Sequence, residues 1–494
     1  MADGHLRRDL APSAVSPFPA ERSDVGMSLS VAELAHLREQ FDFDRSGRVV
    51  TNNAASTQPP RQLLDLYRSL TPFYDNVHRG QSDASAYTTD RFESSYDIIA
   101  GWLGASGRRS IATYRNTTEA INAVMYSLLT EFRDGDNVVT TMLEHNSNYV
   151  PWHGLCREIL PRLGRRVELR IARFDHRTGE LDLDHLASLV DSRTKLVGCS
   201  GASNFLGSKP PLPMVRAIAD GSGYPQPTGE RRSRLLVDGA QLVPSSFVDV
   251  QALDVDYLVF SFHKMLAPFG VGVLYAKEHL LEHSLPFLYG GDMIADGRVS
   301  PDAVGYNELP WKYSAGTPNI LGVIASAQAL RLIADLMGGD PQRLYFRTED
   351  PMPQPVVRRT MERVGGHTAA LTRRAVEGLS AVPGLRVLGV PPGGARSPLV
   401  AFTVAGCNPF DLAAALNRLG VESRAGCHCA TLAHHDLGLD PPASCRLSFY
   451  LYNSIDDVDR AVDAVRQVVL RGVTGSPPPA PPPAGLGRHR REAA

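Results

Sequence analysis

The stretch "SFHKMLAPFGVG" covers residues 261 to 272, straight after the apolar run "VDYLVF" and closing in a glycine-rich return. A strand end followed by His263 and Lys264 is an odd place to put charge. Lys264 is either a nucleophile held in a cleft or a solvated loop lysine, and these residues alone leave both readings open. The surroundings narrow the choice. Earlier in the chain, "RLLVDGAQ" brings a second β-rich run to its end at Asp238, with Gln241 just beyond. Ligands of open α/β sheets bind beyond the carboxyl ends of the strands, so one cleft can hold Asp238, His263 and Lys264 together. A lysine with a buried acid partner suits pyridoxal phosphate, which needs an amine for its aldehyde and a carboxylate for its pyridine nitrogen.

Around this pair the chain alternates. The runs "NVVTTM", "VELRIA", "KLVGCS", "RLLVD", "YLVFS" and "GVGVLYA" read as strands, and helices are predicted to start near Gln58, Asp90, Thr117, Asn148, Asp184 and Pro213. Alternation of this kind predicts a mostly parallel sheet covered on both faces. Beyond about residue 320 the pattern becomes α+β. It has helices near 320–337, 366–381 and 456–470 and strands at "LRVLGV" and "LVAFTV". The expected organisation has five parts: a flexible leader over 1–27, an N-terminal segment over 28–50 packing with the small domain, a large domain over 51–305, a small C-terminal domain over 306–472, and a disordered proline-rich tail over 473–494. "SVAE" (30–33) reads as a capping box opening a short helix, and "GYPQPTGERRS" and "GGDPQRLYFRTEDPMPQPV" read as loop insertions.

Composition excludes several classes. The 494 residues carry 51 basic and 53 acidic side chains, a balance that gives no pointer to nucleic acid or an anionic membrane. No run approaches a spanning helix, and the first residues lack the apolar core of a secretory signal, so a cytoplasmic location is expected. Six cysteines are present, and Cys427-His428-Cys429 is too tight a triplet for the usual metal-ligand spacing, so no metal is expected.

Other segments fit the same cofactor. "RNTTEAINAV" sets Asn116, Thr117 and Thr118 at a helix start, where free N–H groups and hydroxyls suit a phosphate; an ordinary N-cap would look the same. "LEHNSNYVPW" offers His145 after a strand, either to stack on a pyridine ring or as a plain loop histidine. With "NVHRG", "GASNFLG", "YGGDMI", "SAGTPN", "RAGCHCA" and "RLSFYLYN", these motifs resemble class V aminotransferase-fold enzymes. Within that group the sequence is most similar to the sulfur-mobilising cysteine desulfurases and selenocysteine lyases, over roughly residues 51–462.

The resemblance implies the fold type I of pyridoxal-phosphate transferases, with a large, mostly parallel seven-stranded-type sheet and a smaller α+β domain. It implies that Lys264 links to the cofactor, that Asp238 pairs with the pyridine nitrogen, and that Gln241 bonds the 3'-oxygen. His145 would stack on the ring, and Thr117, Thr118, Ser261 and His263 would hold the phosphate. Thr317 would reach the site of the neighbouring subunit in a homodimer. Asn204, Arg424, Arg446 and His78 would contact the substrate. Cys429 would attack the sulfur of cysteine or a cysteine derivative, with Arg424 and His428 favouring its thiolate, and pass the sulfur to an acceptor protein. Three positions depart from the pattern: Phe262 replaces a small residue beside the phosphate, and Asn146 and Cys427 replace histidines. These departures keep open another reaction on an amino acid in specialised metabolism: transamination, epimerisation or C–S elimination.

Overall fold

Short runs of Val, Leu and Ile build the central sheet of this computed structural model, which describes residues 28–471 except 351, 392, 393 and 395. The expected leader and the proline-rich tail lie outside the described residues. The seven strands are β1 (Ile111–Tyr114), β2 (Asn137–Thr141), β3 (Glu168–Ala172), β4 (Thr194–Ser200), β5 (Arg234–Asp238), β6 (Tyr257–Ser261) and β7 (Gly272–Ala276). Their order is β1-β7-β6-β5-β4-β2-β3, with β7 alone antiparallel to its neighbours. Every residue of β4 to β7 is buried, as expected of strands covered on both faces. The sequence reading lacked β1, whose four residues are only half buried and carry a weak apolar signal.

Helices cover the sheet. Helix α1 (Val31–Arg38) opens on the expected capping box, in which Ser30 and Glu33 bond each other's backbone. Helix α2 (Asp83–Leu103) starts earlier than expected because Ser82 caps it, accepting the Ser85 N–H, and it ends at left-handed Gly104. Helix α3 (Thr117–Ser127) begins with Asn116 accepting the Glu119 N–H. Helix α4 (Ile320–Leu336) packs on α2 and shares the core of the large sheet. The smaller unit therefore starts after α4, not at residue 306. Helix α5 (Gln354–Ser380) also begins earlier than expected, because Gly365 and Gly366 lie inside it rather than at its start.

The smaller unit is an antiparallel sheet of β8 (Leu385–Leu388), β9 (Leu399–Val404), β10 (Arg424–Gly426) and β11 (Ser444–Ser448), ordered β8-β9-β11-β10. It shares a core with α5 and with α6 (Ile455–Arg471). The N-terminal segment closes onto this unit. Val49 and Val50 pair in parallel with Val421 and Glu422, Arg38 bonds Asp457 at 2.6 Å, and Asn53 donates to Ser448 O at 2.9 Å. The first expected insertion is a loop; of the second, the described residues before Gln354 are loop and its last three residues open α5. The first docks under β4, where the Gln226 amide donates to Lys195 O. The second is tied to α4 by Arg331 and Gln328. No helix among the described residues is long and apolar enough to cross a membrane.

Parallel pairing has one consequence that matters for chemistry. The carboxyl ends of β1, β2, β4, β5 and β6 all open on one edge of the sheet. The reversed strand β7 enters at that edge, where Gly272 meets the start of α3. A Cβ on Gly272 would lie 2.5 Å from Asn116 Cα. Backbone does not yield as a side-chain tip does, so Gly272→Ala should cost about 1–3 kcal/mol or more. Chemical denaturation should show the loss, and an unchanged midpoint would contradict this packing.

Candidate active site

The strand ends enclose a cavity of about 320 Å³. Lys264 and His263 stand on the 3-10 turn Phe262–Lys264 that follows β6, and Asp238 is the last residue of β5. Both Asp238 and Lys264 line the cavity. Burial holds the Lys264 amine down to about 8, opposed by the charge of Asp238. Burial pushes the Asp238 carboxyl up, offset by the Ala240 N–H at 2.9 Å and by Lys264. A lysine depressed in this way is a competent nucleophile near neutral pH.

At one end of the cavity hydroxyls gather at the start of α3. Ser261 Oγ accepts the Thr117 N–H at 2.7 Å and lies 2.6 Å from Thr117 Oγ1, while Thr118 Oγ1 lies 2.6 Å from Ser147 Oγ. His263 lines the same wall, and burial holds its imidazole down to about 4. Phe262 does not reach the cavity. It is fully buried against Phe260, so this departure leaves the hydroxyl cluster unaltered. Gln241 lines the floor, and its amide donates to Ala54 O at 2.8 Å.

His145 faces this floor from the end of β2. Its Nδ1 accepts the Ser147 N–H at 3.0 Å, and burial together with Lys264 holds it down to about 4. The ring is therefore a neutral tautomer protonated on Nε2. A buried carboxylate, a depressed lysine, a neutral histidine and a helix start lined with hydroxyls fit the ring nitrogen, aldehyde, ring face and phosphate of pyridoxal phosphate.

The smaller unit supplies the opposite wall. Arg424 on β10 and Arg446 on β11 are directly paired in register, so their side chains share a face. Neither guanidinium has a carboxylate partner among the described residues; Arg446 donates to Asn204 O at 2.6 Å. Burial and Arg424 hold Arg446 down to about 9. Two like charges placed opposite each other are unfavourable unless an anion lies between them.

Cys429 lines the cavity beside these arginines. It sits on a tight turn in which Cys427 O accepts the Ala430 N–H at 2.8 Å, with His428 and Cys429 both left-handed at φ 52° and 57°. Such backbone persists only where neighbours hold it. Here Asn146 N–H donates to Cys429 O, and the Asn204 amide to His428 O, each at 2.6 Å. Asn204, expected on the substrate, thus lines the cavity while bracing this turn. His428, expected to favour the Cys429 thiolate, supplies no positive charge to it. Burial and the charges of Arg446, His434 and Arg424 push it far below the usual histidine range, and it is neutral.

Two expected residues lie elsewhere. His78 does not line the cavity; it sits between Glu93 and Asp292 with its ring 4.5 Å from that of Trp311. Burial opposes its charge, but those two carboxylates outweigh burial and lift it to about 9. Thr317 is exposed, outside the cavity of its own chain. Ser147 and Ser200 do line the cavity and were missed, since nothing in their local sequence sets them apart from other strand-end serines. The departures Asn146 and Cys427 are joined: the Asn146 amide reaches Thr431 Oγ1, which donates to Cys427 Sγ at 3.5 Å. Among the described residues no cluster could hold a metal.

Residues 49–340 and 357–461 match the class-V aminotransferase family. The chain belongs to that family. It is 37% identical to a probable cysteine desulfurase of Halobacterium salinarum, over 85% of this chain and 92% of that protein. It is 35% identical to a cysteine desulfurase of Haloferax volcanii, over 91% and 94%. Among solved structures it is similar to the Escherichia coli cysteine desulfurase CsdA, with a TM-score of 0.74, 30% identity and coverage of 89% of this chain and 98% of that one. The apo cysteine desulfurase of Thermococcus onnurineus gives a TM-score of 0.76 at 28% identity, covering 90% and 99%.

The depressed lysine makes a direct test. In cofactor-free protein, acylation of Lys264 should rise with pH through about 8, because the neutral amine is the reacting form. Asp238→Asn should move that midpoint lower, since the carboxylate is what raises it. Peptide mass spectrometry reads both, and a midpoint near 10 would contradict burial as the cause.

Proposed function

We propose that this protein is a cysteine desulfurase, taking sulfur from L-cysteine or a cysteine derivative through a persulfide on Cys429 and leaving alanine. One observation carries the reading: Cys429, Lys264 and the arginine pair 424/446 line one cavity. Pyridoxal phosphate, when bound, supplies an aldehyde for the substrate amine and a ring that accepts electrons. Lys264 would hold it covalently, Asp238 and Gln241 would bond its ring, Thr117, Thr118, Ser261 and His263 its phosphate, and His145 would cover its face.

The chain's own groups then divide the work. Arg446 and Arg424 bind the substrate carboxylate, which relieves their mutual repulsion. Lys264 Nζ, which burial brings down to about 8 so that its neutral form is accessible, takes the proton from the substrate α-carbon. Cys429 Sγ, as thiolate, forms a bond to the substrate sulfur while the carbon–sulfur bond breaks, and the released electron pair stays with the carbon skeleton. Protonation of the β-carbon and return of the proton from Lys264 to the α-carbon give alanine. Arg424 and Arg446, not neutral His428, supply the positive field for the thiolate.

The assembly reading is a homodimer, in which exposed Thr317 serves the neighbouring subunit's phosphate. Six unpaired cysteines support a reducing, cytoplasmic setting. The half-buried Cys429, which keeps some access to solvent, supports delivery of the sulfur to an acceptor protein.

Cys429→Ser should lower alanine and sulfide release from cysteine by about a thousandfold or more while cysteine still perturbs the cofactor absorption band. Cys427→Ser should stay within a few-fold of wild type. Full turnover by Cys429→Ser would replace this reading with an eliminase, epimerase or aminotransferase. Borohydride reduction should leave a pyridoxyl label on Lys264; a label on any other lysine would overturn its assignment. Sedimentation should give a dimer, and a fully active monomer would remove the role of Thr317.

A further inference from the structure

Beside the cavity lies a carboxylate that none of the chemistry above uses. Glu144 immediately precedes His145, is 1% exposed, and has no basic partner among the described residues. Four donors converge on it instead. Oε1 receives the Thr141 hydroxyl at 2.6 Å and the Ser200 N–H at 2.9 Å. Oε2 receives the Asn148 amide at 2.6 Å and the Ser200 hydroxyl at 2.7 Å.

The polarity of these bonds is constrained. The Ser200 N–H is main chain and cannot turn. The Asn148 amide cannot flip freely, because its Oδ1 accepts from Trp152 Nε1, which only donates, at 3.1 Å. Each oxygen of Glu144 thus faces one donor that cannot reverse and one hydroxyl that can. A proton on Glu144 is accommodated when a hydroxyl turns and accepts. A glutamine is not: its NH₂ would face either Ser200 N–H or the Asn148 NH₂. The NH₂ could still donate to the hydroxyl beside it, but the donor that cannot reverse would be left buried and unpaired, which is costly.

These bonds surround the turn that carries His145. Asn148 N–H closes that turn on His145 O at 2.8 Å, and its side chain returns to Glu144. Ser200 is the last residue of β4, is paired with Asp238, and lines the cavity. We infer that Glu144 is a positioning residue, a hydrogen-bonded clamp that joins the ends of β2 and β4 and fixes the turn presenting His145. The inference rests on the cofactor reading above, in which His145 covers the ring.

The test compares holo-protein carrying Glu144→Gln, Asn148→Asp, and both. Glu144→Gln should lower kcat for cysteine at least tenfold with KM within threefold, change the visible circular dichroism of the bound cofactor, and lower Tm by several degrees. Asn148→Asp alone sets two carboxylates face to face and should be comparably damaging. The double variant restores a donor–acceptor pair with its polarity reversed: the introduced amide donates to the introduced carboxylate, whose other oxygen still accepts from Trp152. It should recover the dichroism and bring kcat within threefold of wild type. A Glu144→Gln protein with wild-type dichroism and kcat would overturn the clamp, as would a double variant no better than the single. If Glu144→Gln does not fold, a folded double variant supports the clamp, and one that also fails overturns it. Should wild-type protein show no cofactor band, the cofactor reading fails, and Tm recovery in the double variant then decides the clamp by itself.

Discussion

The cavity holds Lys264, Arg424 and Arg446, and Asp238 is the one carboxylate among its lining residues. Its histidines do not alter that imbalance, since burial keeps His145, His263 and His428 neutral. Buried cations without counter-ions are unfavourable, so the site is electrostatically complete only with anions inside it. The two ends of the cavity differ in the anion they suit. Helix-start N–H groups and hydroxyls match a phosphate, and the arginine pair matches a carboxylate. Lys264 lines the same cavity as both of these groups.

The turn at Cys429 shows how the two units cooperate. Its left-handed pair belongs to the smaller unit, yet the donors that hold it, Asn146 N–H and the Asn204 amide, come from loops after β2 and β4 of the large sheet. Arg446 closes the loop by bonding Asn204 O in return. The thiol is thus placed by the same strand ends that place His145.

Much of this was legible in the chain. Six strands of the sheet announced themselves as short apolar runs, and Asp238 and Lys264 stood at the ends of two of them, where parallel pairing collects ligand-binding groups. Periodicity does not report burial around a particular atom, so nothing in the sequence showed that His428, expected to favour the Cys429 thiolate, is buried and neutral. His78 carried a motif but no information about its partners, and Glu93 and Asp292 claim it instead. Glu144 gave no signal, because its meaning depends on Ser200, 56 residues away. Glycines misled at α5, where a helix packed along its length tolerates Gly365 and Gly366.

The closure of the N-terminal segment onto the smaller unit bears on biosynthesis. Asn53 must bond Ser448, 395 residues further along, before its stretch is settled. At ribosomal rates of about 5–20 residues per second, that partner emerges roughly 20–80 s later. Through most of that interval the Val49–Val50 strand also lacks Val421 and Glu422, its pairing partners. Ala54 and Ala55 line the cavity, and Thr57 holds the main chain at His263 with a 2.9 Å bond. The catalytic chamber is therefore walled by the first-made described segment but finished only when the last-made strands arrive, which makes the smaller unit the gatekeeper of a functional product during translation.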